Sequence, residues 1–184
     1  MTAAVSDGTA TSTGKTSLSV WFPNLTNGYE IFSFVVLTRM MGIENVKIVG
    51  NVSSKRTLDE IKSLVISAKN DEVNRSNFER LESNCSYEDY FEIMEDGRTK
   101  PKSVLLDGVE FRKGWFITNS KDTYDLVIFR NALLDFGYSL HEKVVTYLAD
   151  SLNPGGMLAL GIKEPLIAAV DLKAVEPDES IYLK

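Results

Sequence analysis

The sequence has one cysteine, Cys85, and one histidine, His141. A lone cysteine excludes an internal disulfide and a cysteine-rich zinc site, so nothing asks for an oxidising compartment and the expected location is the cytoplasm. Cys85 and His141 also stand far apart in the chain, so no Cys-His pair, Ser-His-Asp triad or metal-ligand cluster can be defended. The expectation for His141 is a solvated position on a helix. No stretch approaches the roughly 18 consecutive apolar residues of a membrane span, and the first residues are small and polar rather than basic and then apolar. Basic residues are in deficit, 20 against 26 acidic for a net charge of -6. That balance opposes attraction to a phosphate backbone, so nucleic acid is not an expected partner. Bulky apolar groups are scarce from Met1 to Lys15, which could not offset its ordering entropy, and residues 1–16 read as a flexible leader.

With 184 residues, 43% of them hydrophobic, the chain has enough apolar mass for one domain, starting near residue 17. An apolar run at Leu18 to Phe22 precedes a helical stretch from about Gly28 to Met41. Val46 to Gly50 follows as a second strand. Thr57-Leu-Asp-Glu60 reads as a capping box opening a helix with Leu58, Ile61, Leu64 and Val65 on one face. The charged stretch from Asp71 to Arg98 reads as helical, in the place of a lid. Val104 to Phe111 and Trp115 to Ile117 are extended candidates. Leu126-Val-Ile-Phe129 is a continuous apolar run, as in a strand covered on both faces. Ser139-Leu-His-Glu142 reads as a second capping box, and Pro154-Gly-Gly156 as the close of that helix. Met157 to Leu160 is the next buried strand, and Leu166 to Val170 with Ser180 to Leu183 suggest a closing antiparallel hairpin. Strands separated by helices imply a mostly parallel sheet with any ligand at the carboxyl ends of its strands. Gly14-Lys-Thr16 imitates the end of a phosphate-binding loop, but the first glycine is out of register and no strand precedes it, so it is set aside.

The segment from Tyr124 to Gly161 carries more. Tyr124-Asp-Leu-Val-Ile-Phe-Arg-Asn131, the helical stretch after it, and Leu152-Asn-Pro-Gly-Gly-Met-Leu-Ala-Leu-Gly161 together resemble the fourth strand, helix and fifth strand of the CheR-type chemotaxis-receptor methyltransferases. That family has there a Tyr/Phe-Asp pair, an apolar strand, Cys-Arg-Asn, an apolar turn with a tyrosine, and a helix closed by Lys-Pro-Gly-Gly. Val20 to Ser33 resembles the family's first strand and loop, with Trp21, Gly28, Glu30 and Ser33 matching. Ile48 to Ser53 stands where its second strand ends in an acid, and Val109-Glu-Phe111 with Asn119 resembles its third strand and asparagine. The resemblance covers residues 17 to 184 and does not extend to the small helical domain that precedes this fold in the family.

The resemblance implies a class I S-adenosylmethionine (SAM) methyltransferase fold: an α/β Rossmann-like domain with a mostly parallel seven-stranded sheet and a C-terminal antiparallel hairpin. It implies SAM as cofactor, without a metal, held by Gly28, Glu30, Asn51, Asn119, Arg130 and Asn131. A carboxylate such as Glu30 can pair with the ammonium of the methionine part, and an asparagine can both donate to and accept from an adenine edge. Several departures matter. Asn51 stands where an acid usually grips the ribose, which removes charge assistance from that bond. Pro23 removes a backbone donor from the first loop, and Leu25 and Tyr29 put bulk where the family keeps small residues and an acid. The family's catalytic arginine has no counterpart upstream, and its catalytic tyrosine falls at Asp135, with Tyr138 nearby, so no catalytic residue is assigned. The sequence therefore reads as a degenerate CheR-like domain that binds a signalling or receptor protein in chemotaxis or another two-component pathway. The alternatives are an active enzyme forming glutamate methyl esters on a receptor, and a domain that takes a different small ligand at the same cleft.

Overall fold

The structure is a computed structural model that describes residues 17–81, 84–118, 121–164, 166 and 170–184. The expected leader and Asn119 lie outside the described residues. The alternation of strand and helix is realised as β1 (Leu18–Leu25), α1 (Tyr29–Met40), β2 (Val46–Val52) and α2 (Lys55–Lys62). A small lobe follows, made of α3 (Ala68–Glu79), α4 (Tyr87–Tyr90) and a hairpin of β3 (Phe91–Ile93) with β4 (Thr99–Pro101). The chain returns through β5 (Val109–Lys113), β6 (Tyr124–Phe129), α5 (Tyr138–Asp150), β7 (Leu152–Leu160), β8 (Lys173–Glu176) and β9 (Ile181–Leu183).

One seven-stranded sheet has the order β5-β2-β1-β6-β7-β9-β8. The pairings from β5 through β7 are parallel, and β9 joins β7 and β8 antiparallel. This is the mostly parallel sheet with a closing hairpin expected from the sequence. The strand order reverses between β1 and β6, where two crossovers leave in opposite directions and open a crevice at the carboxyl ends.

Each face of the sheet has its own apolar cluster. Val127, Phe129, Leu158 and Leu160 pack with Val144, Val145 and Leu148 of α5 on one side. Val20, Phe22, Ile48 and Val52 pack with Ile31, Phe32, Val35 and Val36 of α1 on the other. The apolar run of β6 thus divides between two faces, which explains its lack of polar alternation.

Several boundaries differ from the sequence reading, each for a local reason. The cap of α2 is Ser54, whose Oγ accepts from the Thr57 amide at 3.1 Å; Thr57 is already helical, and Leu64 and Val65 lie past the helix end. The cap of α5 is Gly137, with no side-chain capping bond, so Ser139 does not open the helix. The helix ends at Asp150, and Pro154, Gly155 and Gly156 fall within β7. Among the described residues of 71–98 only α3 and α4 are helical, because the chain turns back at Gly97 (φ 77°) into the β3–β4 hairpin. Trp115 to Ile117 is not a strand, and the first arm of the closing hairpin is β8 rather than Leu166 to Val170, of which 167–169 lie outside the described residues. His141 is buried, 7% exposed, not solvated.

Candidate functional site

Pro23 shapes the mouth of the crevice. It has no amide hydrogen to give to the ladder. The β1–β2 register accordingly shifts, from Phe22 opposite Gly50 to Leu25 opposite Val52, so one extra residue is accommodated on β1. Beyond this irregularity Leu25 is buried, and a Cβ placed on Gly50 would meet Leu25 Cδ1 at 2.6 Å. Leu25 thus packs on the face of β2 at Gly50, near Ile31 of α1, and also lines the cleft.

Toward β6 the crevice opens into a cleft of about 750 Å³. Its walls include Asn24, Tyr29, Glu30, Arg130, Asn131 and Asp135. Tyr29 stands 38% exposed, at the rim, and does not plug the cleft. Arg130 Nη1 lies 3.9 Å from Glu30 Oε1, a loose ion pair across the opening. Burial pushes the Glu30 carboxyl above the ordinary glutamate range, against the pull of Arg130 and with a further push from Glu164. A carboxylate and a guanidinium facing one opening can receive the ammonium and the carboxylate of an α-amino acid group, each through charge-assisted hydrogen bonds.

The turn that presents Arg130 and Asn131 is anchored by a residue that the sequence reading passed over. Glu164 is 1% exposed. Its Oε2 accepts from the amides of Asn131 at 2.8 Å and Gly161 at 2.6 Å, and its Oε1 accepts from the Leu133 amide at 2.5 Å. Three backbone donors on one carboxylate satisfy the orphaned ends of β6 and β7 together. Asn131 takes a left-handed backbone (φ 57°), which asparagine tolerates better than most residues. Gly161 has no room for a side chain, since a Cβ there would lie 2.6 Å from Glu164 Oε2. The only sequence signal for Glu164 was an acid soon after a buried strand that ends in glycine, and such an acid is ordinarily solvated.

The cleft therefore gathers Glu30, Arg130 and Asn131 of the expected cofactor residues, and leaves two others outside. Gly28 caps α1 and is buried under its own helix: a Cβ there would meet the Phe32 ring at 3.0 Å and Leu64 Cδ2 at 3.2 Å. Its smallness serves packing. Asn51 is buried and accepts from the Trp21 indole at 2.8 Å. It faces a separate cavity of about 310 Å³ beside Arg112 and Tyr147. The indole thus competes with a ribose hydroxyl for the asparagine oxygen as acceptor. Asp135, standing where the resemblance asks for a tyrosine, lines the cleft and is exposed; the side chain of Tyr138 lies outside the described residues. Among the described residues, no three His, Cys, Asp or Glu side chains gather as a metal site, and no helix is long and apolar enough to cross a membrane.

A family model described as CheR methyltransferase, SAM binding domain, matches residues 1–180. A chemotaxis protein methyltransferase of Vibrio parahaemolyticus is 38% identical over 88 residues, covering 45% of this chain and 30% of that protein. A Pseudomonas putida protein named as a methyltransferase, Cher3, is 27% identical over 150 residues, covering 80% of this chain and 55% of that one. This chain thus spans between 30% and 55% of the length of these two relatives. Among solved structures, PKMT2 from Rickettsia typhi in complex with AdoHcy is similar at a TM-score of 0.43 and 12% identity, over 79% of this chain and 21% of that one.

Proposed function

This chain belongs to the CheR methyltransferase family through its SAM-binding domain, and from that premise we propose that it is a reduced member, a cytoplasmic module that works by binding a protein partner in chemotaxis or a related two-component pathway. Its fold is that of the class I SAM methyltransferases, and SAM is the cofactor to which that family's domain is dedicated. The observation that carries the proposal is Leu25 lying over Gly50. The end of the second strand is where a nucleoside's ribose is gripped in folds of this type. Near that place Leu25 packs over Gly50, and Asn51 Oδ1 accepts from the Trp21 indole.

The methionine end of the site fares better. Glu30 receives the ammonium, Arg130 receives the carboxylate, and the Asn131 turn holds the guanidinium in place through Glu164. Bound SAM would supply an electrophilic methyl group. The chain's own residues offer little to align an acceptor beside it, since Asp135 replaces an aromatic hydroxyl with a carboxylate, and alignment is most of what methyl transfer asks of a protein. Half a site predicts weak binding without efficient turnover.

A second reading, an active enzyme forming glutamate methyl esters on a receptor, draws on the Glu30–Arg130 pair and the size of the cleft. Isothermal titration with SAM and with its demethylated product separates the two. The reduced site gives dissociation constants well above the micromolar range for both; micromolar binding of either overturns the proposal. If weak binding is seen, Glu30→Ala removes it, whereas an unchanged titration refutes the role given to Glu30.

A further inference from the structure

The first turn of α2 runs against an ordinary preference of helices. A helix N-terminus is the positive end of the backbone dipole and favours acids. The first turn of α2 contains no acid and opens instead with Lys55 and Arg56. Arg56 turns along the helix to Glu60 at 2.8 Å, whereas Lys55 forms no ion pair among the described residues. The cap Ser54 takes the Thr57 amide, which leaves the amides of Lys55 and Arg56 without an acceptor in their own helix. Two such amides, the exposed hydroxyl of Ser53 and an uncompensated cation suit an anion.

A second group, on the strand that leads into this helix, points the same way. Asn51 is 7% exposed, and the Trp21 indole, which can only donate, takes its oxygen at 2.8 Å. That fixes the side-chain amide, so Nδ2 is the atom left for the cavity of about 310 Å³, and it has no acceptor among the described residues. Lys113 brings a further cation to this place. It pairs with Val52 at the exit of β2, where the Gly114 amide also donates to the Val52 carbonyl at 2.9 Å. Lys113 and Trp115 line the cavity with Asn51, and Trp115, 50% exposed, offers it an accessible ring. Arg112 lies there too, but Glu110 and Asp122 already offset its charge.

Position gives the ligand its class. Where the second strand of such a fold ends in an acid, that acid receives the ribose hydroxyls and would repel a phosphate; a neutral residue with bases beside it accommodates a phosphate on the ribose. Asn51 followed by Ser53, Ser54 and Lys55, with Lys113 alongside, is the second arrangement. We propose that the end of β2 is a site for a nucleotide whose ribose itself carries a phosphate, at the 2′ or 3′ oxygen. The phosphate lies at the first turn of α2 with Lys55 and Lys113, the Asn51 amide donates to the ribose, and the base enters the cavity against the Trp115 ring. The site makes no use of Glu30 or Arg130, and it stands whether or not SAM binds there.

Isothermal titration of the full chain with adenosine 2′-phosphate, its 3′ and 5′ isomers, adenosine and inorganic phosphate tests this. The 2′ or the 3′ isomer should bind at least about tenfold more tightly than each of the last three, because only it joins a base to a ribose phosphate. The 2′ isomer as the better ligand identifies an NADP-like nucleotide, and the 3′ isomer a coenzyme A-like one. Lys55→Gln with Lys113→Gln, both at exposed positions, should cost the preferred isomer at least about tenfold and leave adenosine unchanged. Lys69→Gln, on the exposed surface of α3, should change nothing. Asn51→Asp keeps the shape and the bond from Trp21 but adds a charge, and should shift the preference toward adenosine; the lysine variants carry the test if it does not fold. Trp115→Ala should weaken every adenine-bearing probe. Three isomers bound alike, inorganic phosphate bound as tightly as the nucleotides, an affinity that survives the double lysine change, or no binding of either isomer at millimolar concentration overturns the proposal. SAM is titrated separately: micromolar SAM binding removes the reduced-site reading and leaves the ribose-phosphate preference standing.

Discussion

Leu25 and Gly50 face each other across the β1–β2 pair so closely that the glycine cannot gain a single carbon without striking Leu25 Cδ1, at 2.6 Å. The contact follows from the irregular register at Pro23, which turns Leu25 into the interior.

Gly50→Ala should therefore destabilise the protein by about 1–3 kcal/mol, the usual cost of overpacking a buried site. Leu25→Ala alone should cost about 2–5 kcal/mol. In the double variant the Gly50 penalty should largely vanish, a coupling measurable by urea denaturation of all four proteins. If the Leu25 side chain limits SAM binding, Leu25→Ala should raise SAM affinity at least severalfold, despite the lower stability.

Glu164→Ala would leave the amides of Leu133 and Gly161 buried without their acceptor, and the part-buried amide of Asn131 without its own. At about 1–3 kcal/mol for each unsatisfied buried donor, and less than additively, the loss should exceed about 3 kcal/mol. Glu164→Gln keeps the shape and one acceptor oxygen, and should fall between Glu164→Ala and the wild type. Thermal or chemical unfolding reports the order of the three.

The Glu30 carboxyl is held above its ordinary range, mainly by burial. A raised folded value means that the native state holds its proton more tightly than the unfolded chain does, so this contribution to stability is present at low pH and is lost as pH rises through the folded value. Glu30→Gln should remove that slope: the variant should gain on the wild type as pH rises from below the ordinary glutamate range toward neutrality. The gain is modest, because the side chain is 33% exposed and pairs with Arg130. A stability–pH curve parallel to that of the wild type would refute it.

Asp71 behaves in the opposite sense. Burial opposes its ionisation, but hydrogen bonds from Tyr87 at 2.7 Å and Arg75 at 2.9 Å prevail and hold it below the usual carboxylate range. Its contribution is present at neutral pH and is lost as pH falls through the folded value. Tyr87→Phe should cost about 1–2 kcal/mol at pH 7 and proportionally less in acid, as followed by unfolding monitored at several pH values.

The order of elements and the buried strands were legible in the sequence because they are local patterns. A run of β-type residues such as Leu126 to Phe129 reads as a covered strand, and the resemblance of Tyr124 to Gly161 to CheR proteins supplied the topology that periodicity could not. Helix starts were less legible. A Ser-x-x-Glu spacing occurs at Ser139, but the geometry of the preceding turn put the cap of α5 at Gly137. The resemblance implied Glu30 and Arg130 each as a cofactor contact, and the fold brings the two to 3.9 Å of one another.

What tertiary structure alone decided is which way side chains face and what they meet there. Gly28 and Asn51 look like ligand contacts by position, yet one is buried beneath Phe32 and the other is bound to Trp21, partners set by how the elements pack. Glu164 carries no pattern in the chain, because its role depends on three amides from the turns that follow β6 and β7, which only the sheet brings together. Sequence fixes the local preferences of the backbone and the supply of apolar and polar groups. Whether a given polar atom ends up facing a ligand, a neighbour or water depends on contacts between residues far apart in the chain, and those exist only once it has folded.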